Sequence, residues 1–187
     1  MSLEKKSDVY YAIGVIAFLF IFMGILGIAR EIYAAPGSGS DAQFAMKAAQ
    51  GGVTEVQFGQ LAESKGTSDA VKEFGKRMVN DHSKAGEQLK QVAQQENLNL
   101  PMEMSKADKA SYERLSKLSG AEFDREYAKM MVRDHEKDVA EFQKESQDGK
   151  DESMKNFAAQ TLPTLQEHLQ LAKQVEKSTM NASNSSM

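Results

Sequence analysis

An all-α chain built on a four-helix bundle is the fold this sequence predicts, and three observations predict it. Ala, Lys, Glu, Gln and Leu dominate, Trp is absent and 187 residues hold only 3 prolines, a usage that favours helices over strands. Four long segments space their apolar residues at alternating threes and fours, the seam pattern of bundle helices. The connections between those segments run short, long, short.

Residues 1–35 read as a membrane anchor or a long signal segment. Val9 to Ala29 is an uncharged run rich in Ile, Phe, Leu and Gly. About 20 apolar residues span a bilayer as a helix, whereas a cleavable leader carries roughly 7–15. Gly27-Ile28-Ala29 still offers a small-x-small cleavage pattern, so membrane contact through Val9 to Ala29 and release by cleavage both stand. Export of the C-terminal part is expected in either case, because that part has the pattern of a complete soluble domain. Residues 36–40, Pro36-Gly37-Ser38-Gly39-Ser40, form a flexible linker.

The bundle domain is expected over residues 41–177. Its first helix, about Asp41 to Glu63, has Asp41 as N-cap. An inward stripe of Ala45, Ala48, Gly52, Glu55 and Ala62 is small enough for a neighbouring helix to approach closely. The second helix, about Ser68 to Asn97, has the seam Val71, Phe74, Met78, His82, Ala85, Leu89, Val92, and Pro101 stops it. A small helix comes next, from about Ser105 to Leu118. Ser119-Gly120-Ala121-Glu122 reads as a capping box opening the third long helix, whose seam is Phe123, Tyr127, Met131, His135, Val139, Phe142. The fourth, about Glu152 to Lys177, has the seam Met154, Ala158, Thr161, Leu165, His168, Ala172, Val175, with a kink expected at Pro163. Residues 178–187 are polar and expected to be disordered.

The long second connection is enough to return along the bundle, which lets the second and third long helices run parallel. That is the ferritin-like arrangement with one long crossover; simple up-down-up-down, with the small helix folded against one end, is the alternative.

The chain repeats one phrase. Met78-Val79-Asn80-Asp81-His82 returns 53 residues later as Met131-Val132-Arg133-Asp134-His135, and these copies hold two of the 3 histidines. The third, His168, comes directly after Glu167. Each histidine lies on a bundle seam. Neutral imidazole is a common metal ligand, carboxylates suit iron, manganese or zinc, and bundle cores are where such sites are built. The candidate ligands are His82, His135 and His168, with Glu55, Asp81, Asp134 and Glu167 as carboxylate partners. Iron, copper, manganese and zinc are the candidate ions. Counting along the helices puts His82 and His135 at one depth, with Glu55 and His168 in a second tier roughly 8 Å away. Ligand atoms converging within about 4–5 Å would favour a metal.

Other readings of these histidines stand beside it: a hydrogen-bonded polar layer in the core, or a small-ligand pocket or partner surface. The di-iron pattern Glu-x-x-His is absent, since Val79, Val132 and Leu165 stand three residues before the histidines. Methionine invites a copper reading, but Met78, Met130, Met131 and Met154 lie at or beside seams where packing explains them. Met102-Glu103-Met104 reads as a short exposed cluster.

A net charge of −4 argues against a nucleic-acid partner, which requires a basic stripe. The absence of cysteine excludes disulfides, thiolate catalysis and zinc–thiolate sites. No nucleophile elbow, phosphate loop or triad spacing is present, so nothing marks the chain as an enzyme. An envelope protein partner or a second copy of the chain is compatible with the pattern.

From Phe44 to about Val175 the chain resembles the bacterial family termed domain of unknown function 4142. The landmarks are Ala48-Ala49 through Glu55, Gly59-x-Leu61-Ala62, and Phe74 with Met78-Val79-x-Asp81-His82. They continue with Leu100-Pro101, Leu115-x-x-Leu118-x-Gly120-x-x-Phe123-Asp124, Asp134-His135-Glu136, and Leu162-Pro163-x-Leu165-x-x-His168-Leu169. The resemblance implies a ferritin-like bundle in the bacterial cell envelope. The protein would be anchored to the inner membrane with a periplasmic domain, or released to the periplasm or outer membrane. It implies no activity.

Overall fold

A computed structural model describes residues 39–184. The anchor, its cleavage pattern, most of the linker and the last three residues lie outside that range. Among the described residues there are five helices and no strands, and no helix is long and apolar enough to cross a membrane. Helix α1 is Ser40–Lys65, α2 Asp69–Gln95, α3 Lys106–Ser116, α4 Gly120–Asp148 and α5 Glu152–Asn184.

The bundle is two antiparallel hairpins, α1 with α2 and α4 with α5, joined by the crossover 96–119 that carries α3. Two contacts fix the direction. The Asp124 carboxylate of α4 accepts the backbone N–H groups of Thr67 (2.9 Å) and Ser68 (2.8 Å), so the first turns of α2 and α4 lie side by side. At the other end the Asp41 carboxylate accepts the N–H groups of Lys150 (2.7 Å) and Asp151, tying the start of α1 to the start of α5. Helices α2 and α4 therefore run parallel, the arrangement that the length of the crossover allows, and not simple up-down-up-down. Ring contacts keep the register of the repeat, since Phe74 meets Tyr127 and His82 meets His135.

Several helix ends differ from expectation. Gly39, not Asp41, is the N-cap of α1, which frees Asp41 for the turn it holds. Helix α2 stops at Gln95, well before Pro101, because Asn97 turns left-handed at φ 54°, a conformation asparagine tolerates at helix ends. Ser105 caps α3 by accepting the Asp108 N–H at 3.0 Å. Ser119 takes the N-cap position of α4, but its side chain makes no cap bond, and Gly120 has φ 61°; the capping box does not form. Helix α5 passes through Pro163, whose ring faces solvent, and continues to Asn184. Residues 178–184 are thus helical, and Thr179 is buried.

Two apolar clusters fill the bundle. One gathers Phe58, Phe74, Met78, Phe123, Tyr127 and Met131, and the other Phe44, Leu89, Phe142, Met154, Phe157 and Leu165. Met78, Met131 and Met154 are core residues, as packing requires. Met104 is buried while Met102 is exposed, so the expected exposed methionine cluster reduces to Met102.

Candidate metal centre

Between the two apolar clusters lies a buried polar layer. Its members come from all four long helices: Glu55 of α1, His82 of α2, His135 of α4 and His168 of α5. His135 and His168 are fully buried, and Glu55 and His82 nearly so. The imidazole centroids are 5.7 Å apart for His82 and His135, 5.2 Å for His82 and His168, and 5.4 Å for His135 and His168. The expected two tiers are one. Residue counting places Cα atoms, whereas side chains lean toward the N-terminus of their own helix. Glu55 and His168 lean one way along the bundle, His82 and His135 the other, and the lean closes the gap.

Each imidazole is held through one nitrogen. His82 Nδ1 is 2.9 Å from Glu55 Oε2. His135 Nδ1 is 2.9 Å from the Met131 carbonyl oxygen, its own preceding turn. His168 Nε2 is 2.8 Å from Asp81 Oδ2. The remaining nitrogens, His82 Nε2, His135 Nε2 and His168 Nδ1, are buried without a hydrogen-bond partner, as is Glu55 Oε1. Glu55 Oε1 lies 3.4 Å from His135 Nε2. One ring nitrogen from each histidine falls within 4.8 Å of the other two.

The expected carboxylates divide. Glu55 joins the layer directly. Asp81 supports His168 and is itself held by Arg77 Nε at 3.2 Å, while Arg77 Nη2 reaches Glu167 at 2.7 Å. Glu167 is thus an outer member of an Arg77–Asp81–His168 chain, exposed at the surface. Asp134 forms no ion pair with the three histidines among the described residues. The duplicated Asp-His phrase is not duplicated in use, since only Asp81 grips a histidine.

One acid was not expected. Asp138, one turn after His135, lies beside Glu55 and His82 and interacts electrostatically with both. His135-x-x-Asp138 is an i, i+3 pair, which shares a helix face. The copy in α2 has Ala85 at the matching position.

Burial dominates the electrostatics here. It lowers the His82 and His168 pKa values to about 4 and draws His135 down as well, so all three are neutral at pH 7. Burial also raises Glu55 to about 7, against the opposing pull of His135. Asp138 is pushed well above the usual carboxylate range by burial and by the charge of Glu55. Burial raises Asp81 too, but its bonds from His168 and Arg77 outweigh that and leave it ionised below its ordinary value. The layer therefore presents neutral, partly unsatisfied imidazoles beside carboxyl groups.

Residues 29–175 match the family described as Domain of unknown function (DUF4142). The chain belongs to that family. Among solved structures, the crystal structure of a DUF305 fragment from Deinococcus radiodurans is similar, with a TM-score of 0.67 at 14% identity. The match covers 76% of this DUF4142 chain and 98% of that one, and at this identity it shows the shared fold alone. No curated protein matches the DUF4142 chain.

Proposed function

We propose that this DUF4142 protein holds one first-row transition metal ion in the core of a ferritin-like bundle through His82, His135 and His168. The observation that carries the reading is the division of labour on each ring. One nitrogen is oriented by a carboxylate or a carbonyl and the other is buried without a hydrogen-bond partner, while one nitrogen of each ring lies within 4.8 Å of one on each of the other two. Metal-bound histidines are oriented in just this manner by partners behind them. An unmade hydrogen bond on a buried polar group costs about 1–3 kcal/mol, so three such nitrogens are expensive in a purely structural layer. A bound cation would satisfy all three at once.

Tetrahedral ligands at about 2.0–2.1 Å lie roughly 3.3 Å apart, so the imidazoles need to draw inward by an ångström or so. Three nitrogens suit zinc, copper or iron better than manganese. Glu55 Oε1 is placed to supply a fourth donor, leaving Asp81, Arg77 and Glu167 as support. The apolar run Val9 to Ala29 motivates the rest of the proposal, a site carried in the bacterial envelope on an anchored or exported chain.

The test is elemental analysis of the full-length chain after metal loading and dialysis, wild type against His82→Ala, His135→Ala and His168→Ala. About one equivalent in the wild type and less than about a tenth in each variant is expected. Equal, negligible metal in all four proteins would leave the polar-layer reading in its place.

A further inference from the structure

A cavity of about 730 Å³ borders the polar layer, and Glu55, His82 and Asp138 line it. It is large enough for a drug-sized molecule. Along α1 it is lined from Ala48 to Gln60 and along α2 from His82 to Gln94, about 18 Å of helix each at 1.5 Å per residue. Leu89, Phe142, Phe157 and Leu165 supply apolar wall, and Leu98 to Met102 of the crossover border it.

Glycines shape this space in a way the fold does not require. At Gly59 and Gly75 the α1–α2 crossing is so tight that an added Cβ would lie 2.7 Å from the facing backbone oxygen. At Gly51, Gly52 and Gly86, all lining the cavity, an added Cβ would meet nothing within 4 Å. Gly52 does not bring helices together, contrary to expectation; with Gly51 and Gly86 it borders open volume, whereas Ala45 of the same stripe is packed in the core. Each such helical glycine costs about 1 kcal/mol relative to alanine, with no contact in return.

We infer that this cavity is a binding site for an elongated, apolar small molecule with an uncharged hydroxyl head, an alcohol or phenol, whose head reaches Glu55 and His82. Glu55 and His82 line the cavity where it meets the polar layer, and Glu55 Oε1 and His82 Nε2, both buried without a hydrogen-bond partner, want a donor or a metal. An anionic head would shed its hydration beside carboxyl groups that offer it no opposite charge, and a cationic head is repelled once a metal is bound. A hydroxyl donates to the Glu55 carboxylate or turns its oxygen to the metal. The position of the head rests on the three-histidine reading, while the apolar slot does not.

The test uses full-length chain in lipid nanodiscs, wild type against the double variant Gly52→Leu/Gly86→Leu, which fills the slot with better helix formers and leaves the histidines in place. The fluorescent probe is 1-aminoanthracene, displaced by octan-1-ol or by octanoate. Expected is saturable uptake of about one probe per wild-type chain, lost at least tenfold in the double variant. Octan-1-ol should compete at least tenfold better than octanoate. Equal saturable uptake by both proteins would overturn the site, and octanoate competing as well as octan-1-ol would overturn the assignment of the head. Metal content of the same wild-type sample reads on the histidines alone, so probe uptake without metal overturns the metal reading and leaves the slot standing.

Discussion

His82, His135 and His168 are each oriented by a different partner, and removing the partner should weaken a metal site without deleting it. Asp81→Asn is expected to lower metal affinity about 10–100-fold, the usual effect of losing a group behind a ligand, with stoichiometry unchanged; competition against a chelator measures it. A second prediction concerns pH. His82 and His168, lowered to about 4 by burial, carry no proton for a metal to displace near neutrality. Glu55, raised to about 7 by burial, does, because an adjacent cation favours its ionised form. Affinity should therefore rise with pH by up to about tenfold per unit below about pH 7 and level off above it. Calorimetry in buffers of different ionisation enthalpy should show proton release at pH 6 that shrinks at pH 8. At this scale the histidines and Glu55 were legible from seam position. Asp138 was not: the di-iron pattern points to the residue three before each histidine, and this acid stands three after His135. Asp134 was legible as part of a repeat, yet repetition of sequence did not carry repetition of contact.

At the scale of the element, the helix seams came from periodicity, while the ends depended on side chains reaching from elsewhere. Asp124, within the landmark Phe123-Asp124, accepts the N–H groups of Thr67 and Ser68 just before α2, a tie supplied by a different helix that local sequence cannot reveal. Asp124→Ala should destabilise the fold by about 1–3 kcal/mol, the cost of leaving part-buried hydrogen-bond donors unpaired, read by urea unfolding. Residues 178–184 lack a large apolar seam and read as a tail, but extending a formed helix is far easier than starting one. Glycines give opposite predictions on the two sides of the α1–α2 hairpin. Gly75→Ala forces a Cβ to 2.7 Å from the Gly59 carbonyl oxygen and should cost about 1–3 kcal/mol or more. Gly51→Ala enters open space and should raise the melting temperature, by up to about 1 kcal/mol of stability. A loss of stability at Gly51 would contradict the open-cavity geometry.

The whole molecule is organised by its crossover. Because residues 96–119 return along the bundle, α2 and α4 run parallel, so the two Asp-His phrases arrive at one depth and Glu55 and His168 lean in to meet them. Length and spacing allowed that direction beside simple up-down-up-down; they misjudged the distance between tiers because they located backbones rather than side-chain tips. The result is one polar layer between two apolar clusters, with a cavity reaching its edge. The most direct test is X-ray absorption at the metal K-edge on the loaded full-length chain. About three imidazole nitrogens at about 2.0–2.1 Å in the wild type, with the metal signal lost from His168→Ala, is the predicted result. Oxygen-only coordination, or His168→Ala retaining the metal with an unchanged spectrum, would contradict it.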